Sequence, residues 1–190
     1  MAHSKYSSFC FLIAEANTGE DDKMLSLFCE GFGFLRVLAK SVRREGAKLS
    51  GALRKGALLS VTLLKGREVW RLLEVEEIEE LPYGTPGYKV FLRSTKLLQS
   101  LVHGEEKNDL LFAYIRSMFE NLAGIAPHKE KDAEIIFSLQ ILYALGYIPI
   151  NAVTTPVLEM GSGTLQKELP SAERVELVSL INKGISASHL

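Results

Sequence analysis

Phe32-Gly33-Phe34-Leu35-Arg36-Val37-Leu38-Ala39-Lys40-Ser41-Val42 is the stretch from which the architecture can be read. Successive side chains of a strand point to opposite faces, so Leu35, Val37 and Ala39 share one side. Phe34, Arg36, Leu38 and Lys40 share the other. One face is apolar enough to enter a core, and its reverse carries a ring and two cations. Toward the N-terminus, Met24–Cys29 reads as a strand joined to this one at Glu30-Gly31. Before it, Tyr6–Ile13 carries Phe9, Phe11 and Ile13 at the same period of two, and Asn17-Thr18-Gly19-Glu20-Asp21-Asp22 is a polar turn. Toward the C-terminus, Ala57–Leu64 and Glu68–Ile78 form a hairpin around Lys65-Gly66-Arg67.

Five short strands in the first 80 residues predict a small closed barrel of the five-stranded oligonucleotide/oligosaccharide-binding (OB) type. Two prolines and two glycines in Leu81-Pro82-Tyr83-Gly84-Thr85-Pro86-Gly87 then end the β pattern. The expected division is a barrel over 1–80, a linker over 81–87 and an α-helical domain over 88–190, an α+β chain. Tyr88–His103 ends at Gly104. Asn108 is placed to cap a helix with Leu111, Ile115, Met118 and Leu122 on one face. Asp132 is placed to cap the next, which carries Ile135, Leu139 and Leu142 and ends at Gly146. Residues 151–169 read as loop, and Pro170 starts a last helix that Gly184 stops.

Charge is distributed unevenly. Between Arg36 and Arg71 there are ten Lys and Arg against Glu45 and Glu68, a net +8 in a chain whose total is −1. Such a block is the electrostatic footprint of a site for a polyanion, nucleic acid first. Phe34 beside Arg36 and Lys40 suits a single strand, since bases stack on rings while phosphates meet cations. Arg43-Arg44-Glu45-Gly46-Ala47-Lys48 reads as a flexible basic loop that tracks a backbone, and Arg54 and Lys55 extend the charge. The acidic run Leu73–Glu80 reads as a solvated strand end.

Other classes fare worse. Apolar and charged fractions of 47% and 24% are those of a globular chain, not a disordered one. No apolar run approaches a membrane span, and no signal peptide is recognisable at Met1-Ala2-His3-Ser4-Lys5. Cys10 and Cys29 read as buried thiols of a reducing cytoplasm, and four scattered His offer no metal spacing, so neither metal nor cofactor is expected. Gly31-Phe32-Gly33 and Gly161-Ser162-Gly163 lack the remainder of a phosphate loop. No catalytic Ser, His or Cys set can be assembled, and the chain is expected not to be an enzyme.

Gly33-Phe34-Leu35-Arg36-Val37-Leu38-Ala39-Lys40-Ser41-Val42-Arg43-Arg44, followed by Lys48-Leu49-Ser50-Gly51-Ala52-Leu53, resembles the RecO (recombination protein O) family of DNA repair proteins. Gly19–Phe28 resembles that family's first barrel loop and second strand. Asn108-Asp109-Leu110-Leu111-Phe112 and Leu142-Tyr143-Ala144-Leu145-Gly146-Tyr147-Ile148-Pro149 resemble its helix motifs, in order. The resemblance implies an OB barrel followed by a helical domain. It also implies binding of single- and double-stranded DNA, ATP-independent strand annealing, and work with RecR and single-strand binding protein to load recombinase. The DNA-contacting positions it implies are Arg36, Lys40, Arg43, Arg44 and Lys48. Three positions depart from the family pattern. Ser41 stands where a glycine is common, Lys55-Gly56 stands where Pro-Phe is common, and residues 151–190 lack the four-cysteine zinc site of some members. The barrel would hold DNA and residues 88–190 the acidic tail of single-strand binding protein, with Lys96, Arg116, Lys129, Lys131 and Arg174 all open as its cation. The alternative reading is an RNA-binding barrel protein of the translation machinery.

Overall fold

The computed structural model describes residues 4–47, 49–158 and 168–188. Five strands come first: β1 (Lys5–Thr18), β2 (Asp22–Cys29), β3 (Gly33–Ala39), β4 (Ala57–Lys65) and β5 (Trp70–Glu80). They close into a barrel in the order β1-β2-β3-β5-β4, so the fold is α+β with a barrel of the predicted type. All neighbours are antiparallel except β3 and β5, which meet in parallel at Val37↔Trp70 and Leu38↔Arg71.

β1 is longer than the apolar alternation suggests because it serves two neighbours. Its first half pairs with β4 from Lys5 to Phe11, and its second with β2 from Cys10 to Thr18. An irregularity between Leu12 and Ala14, and two more along β4–β5 at Leu58/Leu59 and Thr62/Leu63, bend the strands enough to close the ring. The barrel core contains Cys10, Leu12, Leu25, Leu27, Leu35, Val37, Ala39, Leu59, Val61, Leu63, Trp70 and Leu72. The inward residues of β3 are those that the alternation assigns. In β1 the inward set is Cys10 and Leu12, which interleave with the more conspicuous Phe9, Phe11 and Ile13.

Cys10 and Cys29 face each other across β1–β2 as free, buried thiols. Burial, reinforced by the contact with Cys29, pushes the Cys10 thiol well above its ordinary value, which suits an inert packing group rather than a nucleophile.

The helices are α1 (Pro86–Leu101), α2 (Asp109–Leu122), α3 (Glu130–Ala144), the single-turn α4 (Thr155–Leu158) and α5 (Ser171–Ala187). α1 starts two residues before the expected Tyr88. Thr85 caps it by accepting from the Tyr88 N–H, and Pro86 takes the first turn, where a missing N–H costs nothing. Gly87 lies inside this turn because a Cβ there would collide with the Leu122 carbonyl at the end of α2. α3 is the hub, touching α1, α2, α4 and α5, and is apolar almost all round. Its end follows the glycine rule: Gly146 has φ +81, and the Tyr147 N–H returns to the Leu142 carbonyl.

Three helix readings need correction. Asp132 is not the α3 cap but lies in its first turn, buried. There it accepts from Arg174 Nε at 2.8 Å and from the Leu169 N–H at 3.1 Å, a tertiary use that outcompetes capping. The stretch read as loop over 151–169 contains α4, tied down by Gln140 Nε2 donating to the Val157 carbonyl and Tyr114 Oη to that of Leu158. Gly184 does not stop α5, which runs on to Ala187. Its missing side chain instead makes room for Ile148 and Leu142.

The chain forms two compact units. Met1–Glu80 together with His103–Asn108 make one, and Leu81–Val102 with Asp109–Leu190 make the other. No helix is long and apolar enough to cross a membrane among the described residues.

Candidate nucleic-acid interface

Arg36 on β3 and Lys40 just after it are exposed, with Phe34 before Arg36 and Leu38 between the two cations half-buried. The alternation that buries Leu35, Val37 and Ala39 makes this unavoidable: anchoring one face fixes the direction of the other. The residues paired with Arg36 and Leu38 on the strands alongside are not acidic, and the first acid of β2 is Asp22, at the Lys40 end. β2 sets Ser26 opposite Arg36 and Met24 opposite Leu38, and β5 sets Arg71 opposite Leu38 on the other side. Arg36, Lys40 and Arg71 therefore surround an apolar Leu38 on one barrel face.

Past Lys40 the chain enters a run of turns in which Arg43 and Arg44 are exposed. The sequence suggests a loose loop here, but its backbone is pinned at several points. The Ser41 N–H donates to Asp22 Oδ1 at 2.7 Å, and the Arg43 N–H to the Asp21 carbonyl at 3.0 Å. Val42 and Leu53 are buried in the barrel core, with Leu49 packed against it. Ser41 adopts φ +54, the left-handed region in which a glycine is more comfortable. The position where the resemblance leads one to expect a glycine thus has a backbone that suits glycine, with a serine in it.

The predicted cations are not equivalent. Arg44 Nε donates to Asp21 Oδ2 at 2.6 Å, and that carboxylate holds the guanidinium above its ordinary value. Arg54 pairs with Glu80 at 3.2 Å. Arg36, Lys40, Arg43 and Lys55 are exposed, and none is in an ion pair among the described residues. Lys48 lies outside the described residues. Phe34, Arg36, Lys40, Arg43 and Arg44 thus follow one another along β3 and its following turn, while Arg54 and Lys55 stand near the start of β4.

Two residues of the basic block were missed as site residues. Arg67 and Arg71 line a cleft of about 500 Å³ in the β4–β5 hairpin, with Leu64, Gly66, Glu68 and Val69. The signal for Arg71 was available, since it alternates with buried Trp70 and Leu72. Its place beside β3 was not, because parallel closure of the barrel leaves no local trace. The acidic run is segregated: Glu74, Glu76 and Glu79 are exposed on the part of β5 that pairs with β4 alone. Among the described residues, no group of three or more His, Cys, Asp or Glu is placed to hold a metal ion.

Of the cations considered for the helical half, Arg174 is committed to Asp132 and Arg116 pairs with Glu120 at 3.0 Å. Lys96 and Lys131 are exposed.

Residues 1–80 match the family described as Recombination protein O N terminal. A DNA repair protein RecO of Pelotomaculum thermopropionicum is 26% identical over 153 residues, covering 76% of this chain and 57% of that protein. Those of two Chlorobium phaeobacteroides strains, DSM 266 and BS1, are 27% and 29% identical, over 91% and 80% of this chain and 66% and 62% of their own lengths. The chain thus spans less than two thirds of the length of these curated relatives. Residues 1–80 are similar to that family's N-terminal domain, and the similarity to these DNA repair proteins extends over most of the chain.

Proposed function

We propose that this RecO-like chain takes part in DNA repair and recombination by binding DNA along the outer face of β3 and the turns after it. The observation that carries this reading is the exposed set of Arg36, Lys40 and Arg43, none of them in an ion pair among the described residues, flanked by Arg71 across the β3–β5 seam. Its cations are spaced along an extended strand with few groups suited to reading base edges. That arrangement serves a phosphate backbone of either single- or double-stranded DNA. Phe34 and Leu38, on either side of Arg36, provide an apolar surface for unstacked bases.

The chemistry is binding rather than bond breaking. Holding two strands by their phosphates lowers their mutual repulsion, which is what annealing of complementary strands requires, without nucleotide hydrolysis or a cofactor. In this reading the barrel of residues 1–80 holds DNA. Past the 81–87 linker, the helical residues 88–190 receive RecR and the C-terminal tail of single-strand binding protein, in the cytoplasm and at the nucleoid. The testing experiment is annealing of complementary oligonucleotides without ATP or divalent metal. The protein should accelerate it, and a variant carrying Arg36→Ala, Lys40→Ala and Arg43→Ala should lose most of the acceleration. Acceleration unaffected by these changes would refute the assignment of the face. Preference for structured RNA, with no annealing of DNA, would favour the translation-type alternative.

A further inference from the structure

His103–Asn108 pack with the barrel rather than with the helices on either side of them in sequence. This strap passes the start of β3 at Gly33, where φ is +71 and any Cβ would collide with the Glu106 carbonyl. Passing there brings Glu105 to the β4–β5 hairpin. Glu105 Oε1 accepts from Trp70 Nε1 at 2.8 Å, and Oε2 faces Lys65 Nζ at 3.4 Å. Lys65 in turn lies over the Trp70 ring at 5.0 Å. Trp70 packs against Tyr6 and Phe32, with ring centres 5.4 and 5.3 Å away. Trp70 is itself buried in the barrel core, so what this end offers a strand is the half-exposed Lys65 ammonium, and an internal carboxylate occupies it.

We infer that Glu105 is a built-in competitor for nucleic acid: its carboxylate stands where a strand phosphate binds, and a strand entering by the Arg67–Arg71 cleft displaces it from Lys65. This rests on the nucleic-acid reading above and adds to it a second, conditional subsite at the barrel's hairpin end. Both Lys65 and Glu105 are about half exposed, at 56% and 47%, so the pair exchanges readily with another anion. A polyanion has the further advantage of releasing its condensed counterions on arrival. Entry is favoured by the cleft's own make-up, since Arg67 and Arg71 outnumber the single acid Glu68 in its lining beside Leu64 and Val69, and the cleft borders Lys65 in sequence.

The chain's single tryptophan is Trp70, so the hydrogen bond that the strap makes is itself the reporter. Full-length protein is titrated with an oligothymidylate at low salt, reading Trp70 emission together with anisotropy of the labelled strand. Emission should shift as the strand saturates the protein. Glu105→Gln should tighten binding by about threefold and abolish most of that shift, while retaining an acceptor for Trp70. Glu106→Gln makes the same charge change on a neighbour that forms no ion pair with Lys65, and should leave both readings near wild type. Binding without any emission change, or equal effects of the two variants, would overturn the competitor role and leave the β3 reading intact. Absence of strand binding in anisotropy would overturn both.

Discussion

At Ser41 a residue with a Cβ occupies φ +54, held there by its N–H to Asp22. Left-handed backbone costs an ordinary L-residue about 1 kcal/mol relative to glycine. Ser41→Gly keeps the N–H donor and relieves the strain, so it should raise the melting temperature by about 2–4 °C without altering DNA affinity. Calorimetry of the two proteins checks this; an unchanged or lower value would mean that the serine's conformation is unstrained. Asp132 presents the opposite case, a residue that no local rule explains. Burial alone would raise its pKa, but Arg174 and the Leu169 N–H favour the anion more, and its carboxyl lies below the ordinary value. A depressed folded-state pKa contributes stability that is complete above the unfolded value of about 3.9 and is lost as pH falls through the folded value. Asp132→Asn should therefore cost about 1–3 kcal/mol at neutral pH, and the gap to wild type should narrow in acid. Urea unfolding at both pH values measures it, and a pH-independent gap would show that charge is irrelevant there. In sequence Asp132 looked like a helix cap, because a partner 42 residues away leaves no local pattern.

At the scale of elements, strands were more legible than helix boundaries. Period-two alternation identified β3 and its outward cations because one face is a core face, and core burial is enforced by every neighbour. Helix ends were misjudged where glycine served packing rather than turning. Gly184 reads as a stop signal yet lies inside α5, against Ile148 and Leu142. Gly87 reads as part of a breaker run yet lets the first turn of α1 meet the end of α2. A methyl group at Gly87 must push backbone, not a pliable side chain, so Gly87→Ala should destabilise the helical unit by about 1–3 kcal/mol. Gly84, with open space around it, tolerates a Cβ sterically but has φ +78. The two variants thus separate collision from backbone strain in one denaturation series. Should Gly87→Ala unfold like wild type, the close approach of α1 to α2 would be refuted. The strap at His103–Asn108 had no signature of packing on the barrel, since five polar residues and a glycine between two helices read as an ordinary connection.

For the whole molecule, the uneven charge visible in the sequence becomes a polarity of the barrel. β5 shows both signs along its length, with Arg71 beside β3 and the exposed Glu74, Glu76 and Glu79 beyond it, beside β4. Part of the +8 block is offset locally, Arg44 by Asp21 and Arg54 by Glu80, so the count of basic residues overstates the charge open to a phosphate. Arg36, Lys40 and Arg43 carry no such offset. If these three each meet a phosphate, removing all three should lower the steepness of the log affinity against log salt plot by about 2 on single strands, at roughly 0.7 per contact. Neutralising Glu74, Glu76 and Glu79 to Gln makes as large a change in net charge on a surface that meets no phosphate. That change should raise affinity modestly at low salt through the long-range field and leave the slope nearly as it was, because screening removes distant charges first. Anisotropy titrations of the three proteins from low to moderate salt distinguish contact from net charge. If the glutamate variant changes the slope as much as the β3 variant does, binding follows total charge and β3 has no privileged face. A slope near zero for the unaltered protein would rule out phosphate contact as the source of affinity.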